Sequence, residues 1–218
     1  ELLDRGICNI PVCTIVTQVE VDPADPAFEN PAKPIGKFMT EEEARAYAAQ
    51  TGHPVREDAG RGWRRYVASP KPKHIIEAGA VRHLTEDGHL IICCGGGGIP
   101  VYRTEKNHLK GAAAVIDKDF ASELLAEQLE ADMLIILTAV EKVAINFRKE
   151  NEQWLSSLTP AEARRYIAEG QFAPGSMLPK VEAAVKFAES RPGRQALITL
   201  LEKARDGISG KTGTVIQA

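Results

Sequence analysis

Three short stretches of this sequence place glycine or lysine where a strand would end or a helix would begin, and each could handle an anion. The first is Cys94-Gly95-Gly96-Gly97-Gly98-Ile99-Pro100, which follows an apolar run. Glycines at the carboxyl end of a strand let the backbone approach a ligand and offer it N–H groups. In an open α/β sheet, ligands bind outside those strand ends. A glycine run is equally the composition of a flexible turn, and the residues alone leave both readings open. The second is Asp117-Lys118-Asp119, at the start of a predicted helix. A lysine there adds a full charge to the positive helix terminus, which suits a phosphate, and a neighbouring carboxylate would hold the ammonium in position. The bland alternative is a capping aspartate with two ordinary surface charges. The third is Gly175-Ser176-Met177-Leu178-Pro179-Lys180, where a lysine in a helix's first turn opposes the macrodipole. A nearby anion would offset that mild cost, although an exposed lysine tolerates it.

A fourth stretch, 207–212, has the look of a phosphate-binding loop but lacks its spacing. The pattern GxxxxGK[ST] needs a glycine where this chain has Arg205, so the segment reads as a loop into a last strand. Two helix-start lysines and a glycine-rich strand end together supply cations and amides for phosphoryl transfer without a Walker A loop.

The elements that must position these groups alternate. Residues 10–21 are rich in Val, Ile and Thr and predict a strand. Just before them, 1–6 reads as the last turn of a helix, with Leu2 and Leu3 packing and Gly6 stopping it. From 22 to 74 the character changes: seven of the chain's 13 prolines fall there. Within it, Thr40 and Glu43 form a capping box for a helix over 41–50. A hairpin follows, 55–58 with 63–67 around Gly60-Arg61-Gly62. Beyond 74, helices are predicted over 75–87 and 117–131, after Thr159-Pro160, from Ser176, and over 201–206. Strands are predicted over 89–94, 133–140, 143–147, 196–200 and 213–217. The continuous apolar run 133–140 is expected where both faces of a sheet are covered. Strands alternating with helices imply an α/β sheet with right-handed crossovers. The segmentation is 1–21 and 75–218 as the main domain, with 22–74 as an inserted subdomain.

Composition excludes several classes. Of the 218 residues, 44% are hydrophobic and 26% charged, which rules out general disorder. A formal net charge of −3 without a basic run argues against nucleic-acid binding. No apolar stretch approaches the length of a membrane helix, and the charged first residues do not form a secretory leader. The cysteines Cys8, Cys13, Cys93 and Cys94 contain no CxxC spacing and read as reduced thiols, not a disulfide framework or metal site. Cys93 and Cys94, neighbours in a predicted strand, should point to opposite faces.

The stretches TQVEVDPADPAF, NPAKPIG, EDAGRGWRR, SPKP, CGGGGIPV, AVIDKDFASELLAEQ, ILTAVEKV, FAPGSMLPKVEAA and GTVI resemble carbamate kinases, of the amino-acid kinase family, over essentially the whole chain. The resemblance implies a three-layer αβα sandwich with a protruding lid at about 22–74, a cytoplasmic homodimer, and reversible phosphoryl transfer between ATP and carbamate. The products are ADP and carbamoyl phosphate, magnesium accompanies the nucleotide, and the setting is arginine catabolism. Lys118 and Lys180 would bind the transferring phosphoryl, Asp119 would orient Lys118, and Lys33 would reach in from the lid. Gly96 and Gly97 would contact substrate. Thr138, Val143, Ser176 and Met177 would form the adenine side, and no residue is assigned as a metal ligand. Two further glycine-rich motifs of carbamate kinases, GGNA and HGNGPQ, are absent, so the chain resembles the family's C-terminal majority. The alternatives are a fragment that turns nothing over and another amino-acid kinase acting on a carboxylate or UMP.

Overall fold

A computed structural model describes residues 2–7, 9–58 and 60–218. Cys8, and Glu1 at the head of the expected opening helical turn, lie outside the described residues. The chain folds as two compact units, one of residues 1–77 and 84–118, the other of 78–83 and 119–218. The expected 22–74 segment falls inside the first.

The first unit opens on a 3-10 turn, Leu3–Arg5, which Gly6 closes in the left-handed conformation. Leu3 faces solvent there instead of packing. The strand expected over 10–21 is two: β1, Val12–Thr14, and β2, Gln18–Val21. Thr17 breaks it. Its hydroxyl donates to the Ile15 carbonyl (3.0 Å) and accepts the Cys94 N–H (2.8 Å), a side-chain competition for backbone groups that ends the ladder. Next come β3 (Lys33–Met39), α1 (Glu41–Thr51), β4 (Val55–Glu57), β5 (Trp63–Val67) and β6 (Pro72–Ile75). Thr40 and Glu43 cap α1 reciprocally, and left-handed Gly52 ends it. Helix α2, Ala78–Glu86, starts later than expected because Ile75 is the end of β6. β7 (Leu90–Ile92), β8 (Ile99–Arg103) and β9 (Leu109–Gly111) complete the unit.

Three sheets result. β1 and β7 pair in parallel. β6-β2-β8-β9 form a mixed sheet in that order, in which Val19, Val21, Ile75 and Val101 are buried. β3-β5-β4 form an antiparallel sheet, with β4 and β5 joined as the expected hairpin.

The second unit contains most of α3 (Lys118–Gln128), then β10 (Met133–Thr138), β11 (Val143–Ile145), β12 (Gln153–Leu155), β13 (Ser157–Leu158), α4 (Pro160–Ala168), α5 (Met177–Glu189), β14 (Gln195–Leu200), α6 (Ala204–Ile208) and β15 (Thr214–Gln217). Its main sheet runs β10-β14-β15-β13, with β10 and β14 parallel in register from Met133↔Gln195 to Thr138↔Leu200. β11 and β12 form a separate hairpin. Thr159 and Glu162 build a second capping box, with Pro160 in the first turn of α4. The core is the face of α5 bearing Val181, Ala184, Val185 and Ala188, with Phe187, Ala196, Ile198 and Ile216. The i, i+3, i+4, i+7 spacing makes the stripe, and its alanines let the helix lie close to β14. The run 133–140 departs from its expectation: Leu134 and Ile136 are buried, while Met133, Ile135 and Leu137 are 36–40% exposed. Only one face of β10 is covered, so an alternating environment sits beneath an all-apolar sequence. No helix among the described residues is long and apolar enough to cross a membrane.

Candidate active site

In the first unit the glycine run forms a tight turn after β7. Cys93 and Cys94 lie beyond the strand. Cys94 is left-handed (φ 53°), so the alternation of faces expected of two neighbours in a strand does not apply to the pair. The Gly97 N–H donates to the Cys94 carbonyl (2.9 Å) and the Gly98 N–H to the Gly95 carbonyl (3.1 Å).

Gly97 (φ 104°) presses so near the backbone before Asp117 that a Cβ there would lie 2.2 Å from the Ile116 carbonyl oxygen. Only glycine allows that approach. At Gly96 a Cβ would meet nothing within 4 Å, so this residue faces open space, as a ligand-contacting backbone requires. The same unit brings Lys33, at the head of β3, to Asp117. Their ammonium and carboxylate are ion-paired, with side chains 27% and 12% exposed.

In the second unit, Lys180 in the first turn of α5 donates to the Asp119 carboxylate near the start of α3 (2.8 Å), and both side chains are nearly buried. The lysine that opposes its own helix dipole is therefore neutralised by a carboxylate at another helix start. Lys118, between the two aspartates, is exposed. One turn along α3, Glu123 is fully buried and bonds Lys186 of α5 (2.7 Å). Burial, reinforced by Glu127 and only partly offset by Lys186, pushes its carboxyl up to about 8.

The second unit also holds a cavity of about 410 Å³ whose lining includes Thr138, Phe147, Trp154, Phe172, Ser176 and Met177. Phe147 and Trp154 meet edge to face, 6.0 Å between ring centroids. A largely apolar slot with aromatic walls and a few polar groups suits a flat heteroaromatic ring. Val143 is wholly buried and does not line the cavity. Its N–H is held by the Thr214 hydroxyl at 2.8 Å, behind the neighbouring wall residue Ala144. The stretch expected as a loop over 207–212 is one only in part: Gly207 and Ile208 close α6, and the remainder leads into β15.

The structure thus gathers Thr138, Ser176 and Met177 at one cavity, pairs Lys180 with Asp119, and sets Gly97 against the residue before Asp117. Sequence reasoning missed two things. Asp117 holds Lys33, although it read only as a cap, and Asp119, named only as orienting Lys118, holds Lys180. The partners lie 84 and 61 residues apart, and only the excess of one carboxylate in Asp117-Lys118-Asp119 hinted at a pairing beyond the triplet. The aromatic lining was also missed, since Phe147 and Trp154 carry no motif.

Comparison with known proteins agrees with this architecture. Residues 29–199 match the family model described as the amino acid kinase family. The chain is 67% identical to a carbamate kinase-like protein of Escherichia coli over 99% of its own length and 69% of that protein's. It is 52% identical to the carbamate kinase of Clostridium perfringens, over 99% of this chain and 68% of that one. Among solved structures, the carbamate kinase of Giardia lamblia bound to citric acid superposes with a TM-score of 0.90 at 43% identity, covering 99% of this chain and 67% of that one. The same enzyme bound to AMP-PNP gives a TM-score of 0.86 at 44% identity, covering 99% and 69%. With its mixed α/β fold and these relatives, the chain belongs to the amino acid kinase family, and within it to the carbamate kinases.

Proposed function

We propose that this chain catalyses reversible phosphoryl transfer between ATP and carbamate, giving ADP and carbamoyl phosphate. The observation that carries this reading is the Lys180–Asp119 pair: a nearly buried ammonium fixed by a carboxylate at the start of α5. Carbamate is already an anion, so the reaction needs little general-base help. The barrier is bringing it against a polyanionic phosphate, and lowering it means positioning and charge neutralisation. Lys180, held in one orientation by Asp119, and Lys118 at the head of α3 take the transferring phosphoryl. Asp119 keeps Lys180 from turning to solvent. The turn at Gly96 and Gly97 offers backbone to the substrate.

Lys33 contacts the substrate from the 22–74 segment, which acts as a lid on the main domain of 1–21 and 75–218, with Asp117 as its resting partner. The adenine ring of ATP or ADP occupies the cavity bounded by Thr138, Ser176 and Met177, with Val143 supporting its wall. That a carbamate kinase has been solved with AMP-PNP supports nucleotide use here. Among the described residues no three His, Cys, Asp or Glu side chains group as a metal site. A magnesium ion held mainly by nucleotide phosphates and water would neutralise phosphate charge when bound. A homodimer working in the cytoplasm, in arginine breakdown, completes the reading.

The test is a coupled assay for ATP from ADP and carbamoyl phosphate, with carboxylate phosphates and UDP as competing donors. ATP formation selective for carbamoyl phosphate is expected. Turnover confined to another donor, or none in a folded preparation, overturns the proposal.

A further inference from the structure

Neighbouring arginines on β5 are treated differently by the fold. Arg64 has partners on its side of the sheet. Its guanidinium bonds Asp58 (3.2 Å) and lies over the Phe38 ring, 5.0 Å from the centroid. Arg65 points to the other face. In the β3-β5-β4 sheet it stands between Ile35 and Val55 on the central strand; its Nε is buried and unbonded, as is that of Arg64, but Arg65 lacks the carboxylate that Arg64 has. Among the described residues its side chain has no hydrogen-bond or ion-pair partner. Arg65 is only partly buried, so its guanidinium, which has no counter-charge from the protein, stays within reach of an arriving anion.

The pairing register says what it shares that face with. Lys33 opposes Val67 and Ile35 opposes Arg65. Residues directly opposite, and those two apart on one strand, lie on the same face. Lys33 and Arg65 are therefore diagonal neighbours on one face of the subdomain sheet. Lys33 is neutralised by Asp117, which leaves Arg65 as an uncompensated cation beside it. Its planar fork matches two oxygens of a phosphoryl group in a way that a lysine cannot.

We propose that Arg65 is a second anion-binding residue of the subdomain, accepting a phosphoryl dianion of the acyl-phosphate class alongside Lys33. The inference rests on the phosphotransferase reading for the identity of the anion, and on the sheet register for the residue. It makes Arg65 a determinant of affinity for the phosphorylated small substrate, separate from the nucleotide.

Arg65→Met, Arg65→Lys and Arg64→Met, made in the whole protein, test it. Inorganic phosphate is the probe, its dissociation constant read by titration calorimetry, beside KM for carbamoyl phosphate and for ADP and the melting temperature. Arg65→Met should weaken phosphate and raise KM for carbamoyl phosphate about tenfold or more, the factor expected for a lost charged hydrogen bond. KM for ADP should stay constant, and the melting temperature should hold, because no partner within the protein is lost. Arg65→Lys should recover part of the phosphate affinity. Arg64→Met should instead lower the melting temperature, since Asp58 loses a partner. Unchanged phosphate affinity in Arg65→Met overturns the inference, as does a fall in melting temperature matching that of Arg64→Met. If the wild type makes no ATP but binds phosphate through Arg65, the assigned reaction fails and the anion site stands. If it makes ATP and Arg65→Met is indistinguishable from it, the anion site alone fails.

Discussion

The two lysine–aspartate pairs use aspartates that are next-but-one neighbours, Asp117 and Asp119, but they are different devices. Lys180 and Asp119 have side chains only 11% and 7% exposed and join the first turns of two helices, α3 and α5. Lys33 and Asp117 are 27% and 12% exposed and tie the head of strand β3 to the segment before α3. A pair shielded from water is rigid and costly to break from one side. A pair with one partner partly solvated is cheaper to open. The contrast teaches that one unit holds a fixed ammonium and the other an ammonium held less firmly, the difference that the proposed roles of Lys180 and Lys33 would use.

The largest effect should come from breaking the fixed pair. Lys180→Met is expected to lower turnover by about 10²–10³, the usual loss for one preorganised electrostatic group. It should also destabilise the fold by about 3–5 kcal/mol, because Asp119 is left buried without its counter-charge. Adding Asp119→Asn should recover most of that stability and none of the turnover, which urea denaturation and steady-state rates will show. Lys118→Ala is the control: a comparable loss of turnover with an unchanged melting temperature, since Lys118 is exposed.

The glycine turn gives the next effect. In Gly97→Ala the new Cβ meets the Ile116 carbonyl at 2.2 Å. Overpacking of about 1–3 kcal/mol then adds to about 1–2 kcal/mol of left-handed strain. Gly96→Ala should show the strain alone. Equal melting temperatures for the two variants would contradict the close approach. Lys33→Ala should fall below both in stability cost, about 1 kcal/mol or less, with its main effect on KM for carbamoyl phosphate.

How much of this was legible beforehand follows the range of the interaction. Helices α1 and α4 announced themselves, because a capping box needs residues only three apart, Thr40 with Glu43 and Thr159 with Glu162. The hairpin of β4 and β5 was equally local. The split of the strand over 10–21 was not, because the Thr17 hydroxyl that breaks it is fixed by Cys94, 77 residues away. The run 133–140 misled for the same reason, since what covers a strand face is set by other elements. At the site, the residue types and the helix starts were readable, and so was the lysine in the first turn of α5. Which aspartate serves which lysine depends on packing and was not.

A pH-dependent effect concerns the buried carboxyl one turn along α3 from the fixed pair. Glu123 has its folded-state value raised from 4.5 to about 8. The protonated form is the one the fold favours, so its contribution is fully present below pH 4.5 and is lost as pH rises through about 8. Glu123→Gln should therefore flatten the fall of stability across that window by up to one proton's worth, ~1.4 kcal/mol per pH unit. Chemical denaturation at several pH values checks it, and an unchanged slope would mean that Glu123 titrates like an exposed carboxyl.

The proposed division of labour between the two pairs is tested most directly by ³¹P NMR of ADP with carbamoyl phosphate, run in parallel on the wild type, Lys180→Met and Lys33→Ala at saturating and subsaturating carbamoyl phosphate. The γ-phosphate signal of ATP should grow with the wild type and slow by about 10²–10³ at both concentrations with Lys180→Met. With Lys33→Ala it should slow mainly at the lower concentration, as expected of a group that captures substrate. No ATP signal from the wild type, or the same concentration dependence in both variants, would contradict the assignment of a fixed and a less firmly held lysine.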